Sequence, residues 1–129
     1  MILQTTLCLA AAAAVINFWL GMRIGQLRHA LKISVGDGGD ERVIRRMRAQ
    51  ANFIENTPLL LILFGLVEMT GKGGVWLAPL GAAFMLGRVV HAIGMDGALT
   101  WGRMVGTLTA YLAALGLAVV AVLIALRVM

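Results

Sequence analysis

Four apolar stretches of about twenty residues each, roughly 3–22, 49–68, 75–94 and 105–126, constrain this chain more than any other feature. Each matches the ~20 residues that a helix needs to cross ~30 Å of hydrocarbon. Within 129 residues little is left for anything else. The chain is 60% hydrophobic and only 13% charged, with a mean hydropathy of +0.91. An ordinary soluble domain is far more polar. The expectation is an all-α integral membrane protein, a bundle of four transmembrane helices forming one domain over residues 1–129. The first stretch is expected to be a retained span and not a signal peptide, because its apolar part is too long and its basic residues follow it.

The basic residues set the orientation. Arg23, Arg28, Lys32, Arg42, Arg45, Arg46 and Arg48 lie at or between the first two stretches, and Arg103 lies between the last two. Only Lys72 and Arg127 fall on the other side. By the positive-inside rule both termini face away from the cytoplasm. The net charge of +5 is thus a topology signal, and no nucleic-acid partner is expected, because the basic residues are mostly spent on one short membrane-proximal segment with no aromatic interleaving. Contact of Arg42, Arg45 and Arg46 with water or anionic lipid headgroups is the plainer reading. Cys8 is the sole cysteine, so no intramolecular disulfide is possible, and its apolar neighbours predict a packing role.

Within this apolar background the second stretch is polar where it need not be. Arg48, Asn52 and Glu55 recur at i, i+4 and i+7 and share one helical stripe, while 59–67 is wholly apolar. Asp40 is an N-cap for a helix over Glu41–Met69, long enough for its first turns to stand outside the hydrocarbon. Pro58 predicts a kink just beyond Glu55. In the first stretch Asn17 predicts an interhelical hydrogen bond, and Trp76 marks a membrane interface before the third. Arg88 and His91 share a face of the third helix. Counted back from the rim, Glu55 and Arg88 lie at about the same depth, ~9 Å in. An unpaired charge there is expensive, so an ion pair between them is expected. In the fourth helix the polar residues are Thr107, Thr109 and Tyr111, which predicts a helix that packs or faces lipid.

No zinc-ligand spacing, phosphate-binding glycine loop or nucleophilic triad is visible, so metal and acyl-transfer chemistries of those types find no support. What remains is an arginine-rich, amide-bearing pocket open to the cytoplasm, suited to a small ligand with carboxylates. A plainer alternative stays open, in which the stripe only holds the bundle together. A small four-helix proton-coupled exporter is a third reading, weakened because its acid would be expected in the first helix without a buried arginine beside it.

The segment R-x-Q-x-N-x-x-E-x-x-P, here Arg48, Gln50, Asn52, Glu55 and Pro58, resembles the second-helix signature of the MAPEG family, membrane-associated proteins in eicosanoid and glutathione metabolism. Gly87-Arg88-Val89-Val90-His91 is similar to the third-helix pattern of its prostaglandin E synthase branch, and the nearest likeness is to short bacterial members. The resemblance implies a homotrimer in a bacterial inner membrane, with glutathione as co-substrate bound between subunits near the cytoplasmic end. It further implies glutathione transferase or peroxidase activity on a lipophilic small molecule that arrives through the membrane lipid. On the matching positions, Arg28, Arg48, Asn52, Glu55, Arg88 and His91 would hold glutathione, and Arg103 would stabilise its thiolate. His91 and Met95 stand where eicosanoid synthases carry tyrosines. The family also includes members that bind lipid without catalysis.

Overall fold

A computed structural model describes residues 2–129, which form four helices and, among the described residues, no strand. They are α1 (Gln4–Leu31), α2 (Glu41–Met69), α3 (Leu77–Met95) and α4 (Gly102–Ala125), each long and apolar enough to cross a membrane. Short connections alternate their direction. The connection at 32–40 and the one at 96–101 therefore lie at one end, which also carries most of the arginines and is called the basic end below. Helices α2 and α3 pack against each other and against both outer helices, whereas α1 and α4 do not touch.

The α2 boundaries follow the sequence expectation. The Asp40 carboxylate accepts from the backbone N–H of Arg42 at 2.9 Å, satisfying one of the free donors of the first turn. Hydrogen bonds from the Arg42 side chain and backbone hold the Asp40 carboxyl below its ordinary range. The helix continues through Pro58 as one element. Helix α1 runs nine residues past the expected end of its apolar stretch, because Gln26, Leu27, Arg28, Ala30 and Leu31 are good helix formers, enough to carry it past Gly25, and Ile24 still faces the core. Lys32 then adopts a left-handed cap whose N–H reaches the carbonyls of Arg28 and His29.

The core runs along one stripe of α2, where Phe53, Leu60, Phe64 and Val67 recur at helical spacing and are buried against Leu20, Leu77, Phe84 and Leu117. Between α3 and α4 the packing is different in kind. The buried residues of α4 begin with Gly102, Gly106 and Ala110, which lets the two backbones come close. A Cβ at Gly102 would lie 2.7 Å from the Val90 carbonyl, and one at Gly106 would collide with His91. Outward-facing Leu108, Leu112, Leu115, Val119 and Val122 give the rest of α4 an apolar surface suited to lipid.

Polar contacts join the remaining helices. Gln50 donates to the Asn17 side chain at 3.3 Å, the interhelical bond expected of Asn17. Trp76 stands at the α3 N-cap and donates to the Lys72 carbonyl at 3.2 Å. At the end away from the arginines, Glu68 of α2 accepts from the backbone N–H groups of Thr5 and Thr6, both at 2.8 Å. Helix α1 has no side-chain cap of its own, so a neighbouring helix supplies one. Cys8 departs from expectation: it is exposed, beside a groove of about 500 Å³ between α1 and α3 lined by small residues such as Ala12, Ala78 and Ala82. An apolar neighbourhood in a membrane chain does not require an inward side chain, since lipid is also apolar.

Candidate functional site

The site is built outward from Arg88. Its residue is only 2% exposed, on the face of α3 that meets α2 and α4. One terminal nitrogen donates to the Asn52 side-chain oxygen on α2, and the other donates to the main-chain oxygen of Gly106 on α4. The Phe84 ring lies beneath the guanidinium, 5.7 Å from centroid to carbon. Gly106 is what makes its carbonyl reachable, because a side chain there would strike His91 and approach the Gly87 carbonyl to 2.6 Å. One cation thus fixes three helices.

This arrangement overturns the expected Glu55 to Arg88 ion pair. Glu55 is exposed, and no ion pair between the two exists among the described residues. Depth counting placed Glu55 within one turn of the true partner, but rotation about the helix axis decides contact. Asn52 faces α3, whereas Glu55, three residues on, lies on the outer flank. Neutral oxygens take both terminal nitrogens, leaving the buried Nε without a partner among the described residues, and avoid the desolvation of a second buried charge.

Above Arg88 opens a cleft of about 190 Å³ lined by Arg48 and Asn52 of α2, His91 and Met95 of α3, and Arg103, Thr107 and Tyr111 of α4. Two exposed guanidiniums face it and no carboxylate does, so its field attracts anions. Since the Asn52 oxygen is taken by Arg88, its Nδ2 amide is left as a donor. His91 is buried at 4% exposure and forms the floor. The Thr107 hydroxyl donates to the Arg103 carbonyl at 2.9 Å, along the same face of α4. A second cleft of about 220 Å³, lined by Glu41, Arg45, Gly94, Met95 and Arg103, shares two walls with the first and leads to the basic end.

The expected site residues thus divide. Arg48, Asn52, His91 and Arg103 come together, with Arg88 directly behind Asn52. Arg28 does not join them: its Nε donates to the Gly36 carbonyl at 2.7 Å and an Nη approaches the Met47 sulfur at 3.6 Å, bracing the connection after α1. Glu55 also lies outside the cleft. Thr107 and Tyr111 join the cleft, although the sequence predicts only that their helix packs or faces lipid. Their signal was available, because Arg103, Thr107 and Tyr111 stand at i, i+4 and i+8 on one helical face.

Asp96 was a second omission. At the end of α3 its carboxylate pairs with Arg23 of α1 and lies 3.6 Å from Arg46 of α2. Arg46 also donates to the Arg23 carbonyl at 2.8 Å, and Arg23 stacks on the Trp19 ring at 4.7 Å. Nothing in its local sequence separates this aspartate from an ordinary loop acid.

A comparison with curated proteins returns no match. The family model described as the MAPEG family matches residues 6–123, which take in both clefts and all four helices but for two residues at each outer end. With four membrane-crossing helices and that match over nearly its whole length, this chain belongs to the MAPEG family, a group of membrane proteins that includes glutathione transferases, peroxidases and enzymes of eicosanoid synthesis.

Proposed function

We propose that the protein is a glutathione-dependent transferase or peroxidase acting on lipophilic electrophiles within the membrane. The observation that carries this reading is the cleft in which Arg48 and Arg103 face the same space with no opposing carboxylate. A tripeptide with two carboxylates and a thiol fits that donor set: guanidiniums for the carboxylates, the Asn52 amide for a carbonyl, and the Thr107 hydroxyl for a further polar atom.

Bound there, glutathione supplies a sulfur nucleophile. Arg103 holds the negative charge on that sulfur, and a cation within hydrogen-bond reach lowers a thiol pKa of about 8.5 by roughly one to three units. Arg48 binds a carboxylate, and Arg88 acts through Asn52 by fixing the amide. Tyr111 stands at the membrane side of the cleft next to exposed Leu108, Leu112 and Leu115, where a lipophilic co-substrate would arrive laterally.

At about 190 Å³ the cleft is smaller than the ~300–1,000 Å³ of most small-molecule sites, which favours completion by a second copy of the chain. A homotrimer is the assembly the family resemblance implies, and the exposed Glu55, outside the cleft of its own chain, would then be available to a neighbour's, whereas Arg28 would offer only the nitrogen that does not brace the connection after α1. The arginine-rich connections at one end favour a cytoplasmic basic end, hence both termini on the opposite side, in a bacterial inner membrane.

The test is a glutathione titration of the purified protein, following thiolate absorbance in wild type, Arg48→Ala and Arg103→Ala. The reading expects saturable binding, weakened by Arg48→Ala, and thiolate formation lost in Arg103→Ala. Absence of saturable binding by wild type would leave a lipid-binding or structural role in its place.

A further inference from the structure

Arg103 reaches the cleft without side-chain support. Among the described residues its side chain makes no hydrogen bond or ion pair, and its main-chain carbonyl accepts from the Thr107 hydroxyl. The guanidinium is therefore placed by the backbone at the start of α4. Helix α4 makes no contact with α1, and its first turn meets α3 glycine against glycine: a Cβ at Gly94 would collide with the Arg103 N–H nitrogen and lie 2.8 Å from the Gly102 carbonyl carbon. At this first turn the seam is held by glycine packing alone: Arg88 ties α4 one turn further on, at the Gly106 carbonyl, and on the other side the nearest charged tie lies six residues upstream of Gly102, at Asp96.

We propose that Asp96 is a positioning residue, which by joining Arg23 and Arg46 fixes the turn that presents Arg103 to the cleft. The Arg23 side chain is 11% exposed and that of Asp96 26%, so this is a shielded pair and not one of the solvated ones, such as Arg45 with Glu41, whose carboxylate side is 76% exposed. Arg23 comes from α1 and Arg46 from α2, and the Arg46 bond to the Arg23 carbonyl closes the network into a three-element clamp. Beyond Asp96 the chain turns at Gly97, whose φ of 86° suits a residue without a side chain, and enters α4 at Gly102. The segment between clamp and Arg103 is short, so a shift at Asp96 is carried into the guanidinium. Site geometry of this kind tolerates little displacement.

The inference rests on the thiolate role given to Arg103 above, and its test separates the two. Asp96→Asn, Arg103→Ala and the double variant are compared with wild type for glutathione affinity and for thiolate fraction against pH. The expected result is that Asp96→Asn lowers the thiolate fraction at neutral pH about ten-fold while glutathione affinity changes less than about three-fold. Adding Arg103→Ala to Asp96→Asn should then give little further loss, since both changes remove one function. Asp96→Glu, which keeps the charge, should restore part of the signal. If Asp96→Asn does not fold, Arg46→Lys, which loosens the clamp from the half-exposed α2 side, is read in the same cycle. Additive losses, or an unchanged thiolate titration in a folded variant, overturn the positioning role alone. Failure of the wild type to bind glutathione overturns it together with the function proposed above.

Discussion

Arg88 and Asn52 are joined across the α2–α3 interface by a charge-assisted hydrogen bond, and the same guanidinium reaches the main chain of Gly106. A buried cation is thus held by neutral oxygens only. Removing the acceptor and removing the cation should therefore have unequal effects. Asn52→Leu leaves a charge in a dry site and is expected to destabilise by about 3 kcal/mol, whereas Arg88→Met removes the charge with its partner's burden and should cost about 1 kcal/mol. Equilibrium unfolding in mixed micelles orders the two variants; the reverse order would contradict the arrangement.

The glycines of α4 are not equivalent, and one helix provides both the test and its control. A Cβ at Gly106 would strike His91 and the Gly87 carbonyl, neither of which can move without separating α3 from α4. Gly106→Ala should cost about 2–3 kcal/mol by overpacking. At Gly116 none of the described residues comes within 4 Å of the added carbon, so Gly116→Ala should stabilise by roughly 0.5–1 kcal/mol through helix propensity. The same unfolding assay reads both.

How far the sequence foretold this molecule depends on the kind of signal. Spans are written in runs of apolar residues, and the Asp40 cap and the α2 limits followed from local chemistry. Partners across helices are not written locally. Counting from the rim fixes depth to about one turn, ~5.4 Å, which is enough to bring Glu55 level with Arg88, but it does not fix rotation, which makes Asn52 the partner. Tyr111 was discounted because α4 is apolar overall, although its spacing from Arg103 marked a face. Asp96 was beyond reach, since its meaning comes from Arg23 and Arg46, seventy-three and fifty residues away along the chain.

Glu68 offers a test at the end remote from the cleft. Its carboxylate takes the N–H groups of Thr5 and Thr6, in place of a cap that Leu3 cannot supply. Glu68→Ala should cost about 1–2 kcal/mol and act locally, exposing the first turn of α1. Amide hydrogen exchange should rise at Thr5 and Thr6 and not in α3. Equal protection in wild type and variant would mean that water or lipid headgroups cap the helix as well.

Tyr111 is the last residue for which position implies an effect. It is the sole tyrosine of the chain, 54% exposed, and it lines the cleft two turns along α4 from Arg103. Met95 on the facing helix brings no hydroxyl, so Tyr111 is the phenolic donor nearest the membrane side of the site. Such a donor contributes when negative charge develops on an oxygen of the electrophile, and it contributes little to binding a tripeptide held by guanidiniums further out. Tyr111→Phe is therefore expected to lower turnover about ten- to a hundred-fold for hydroperoxide or epoxide co-substrates, with glutathione affinity changed less than about two-fold. Steady-state kinetics with an oxygen-bearing and an oxygen-free electrophile make the distinction, since the second should lose little rate. An equal loss with both would assign Tyr111 to packing of α4 and not to the reacting oxygen.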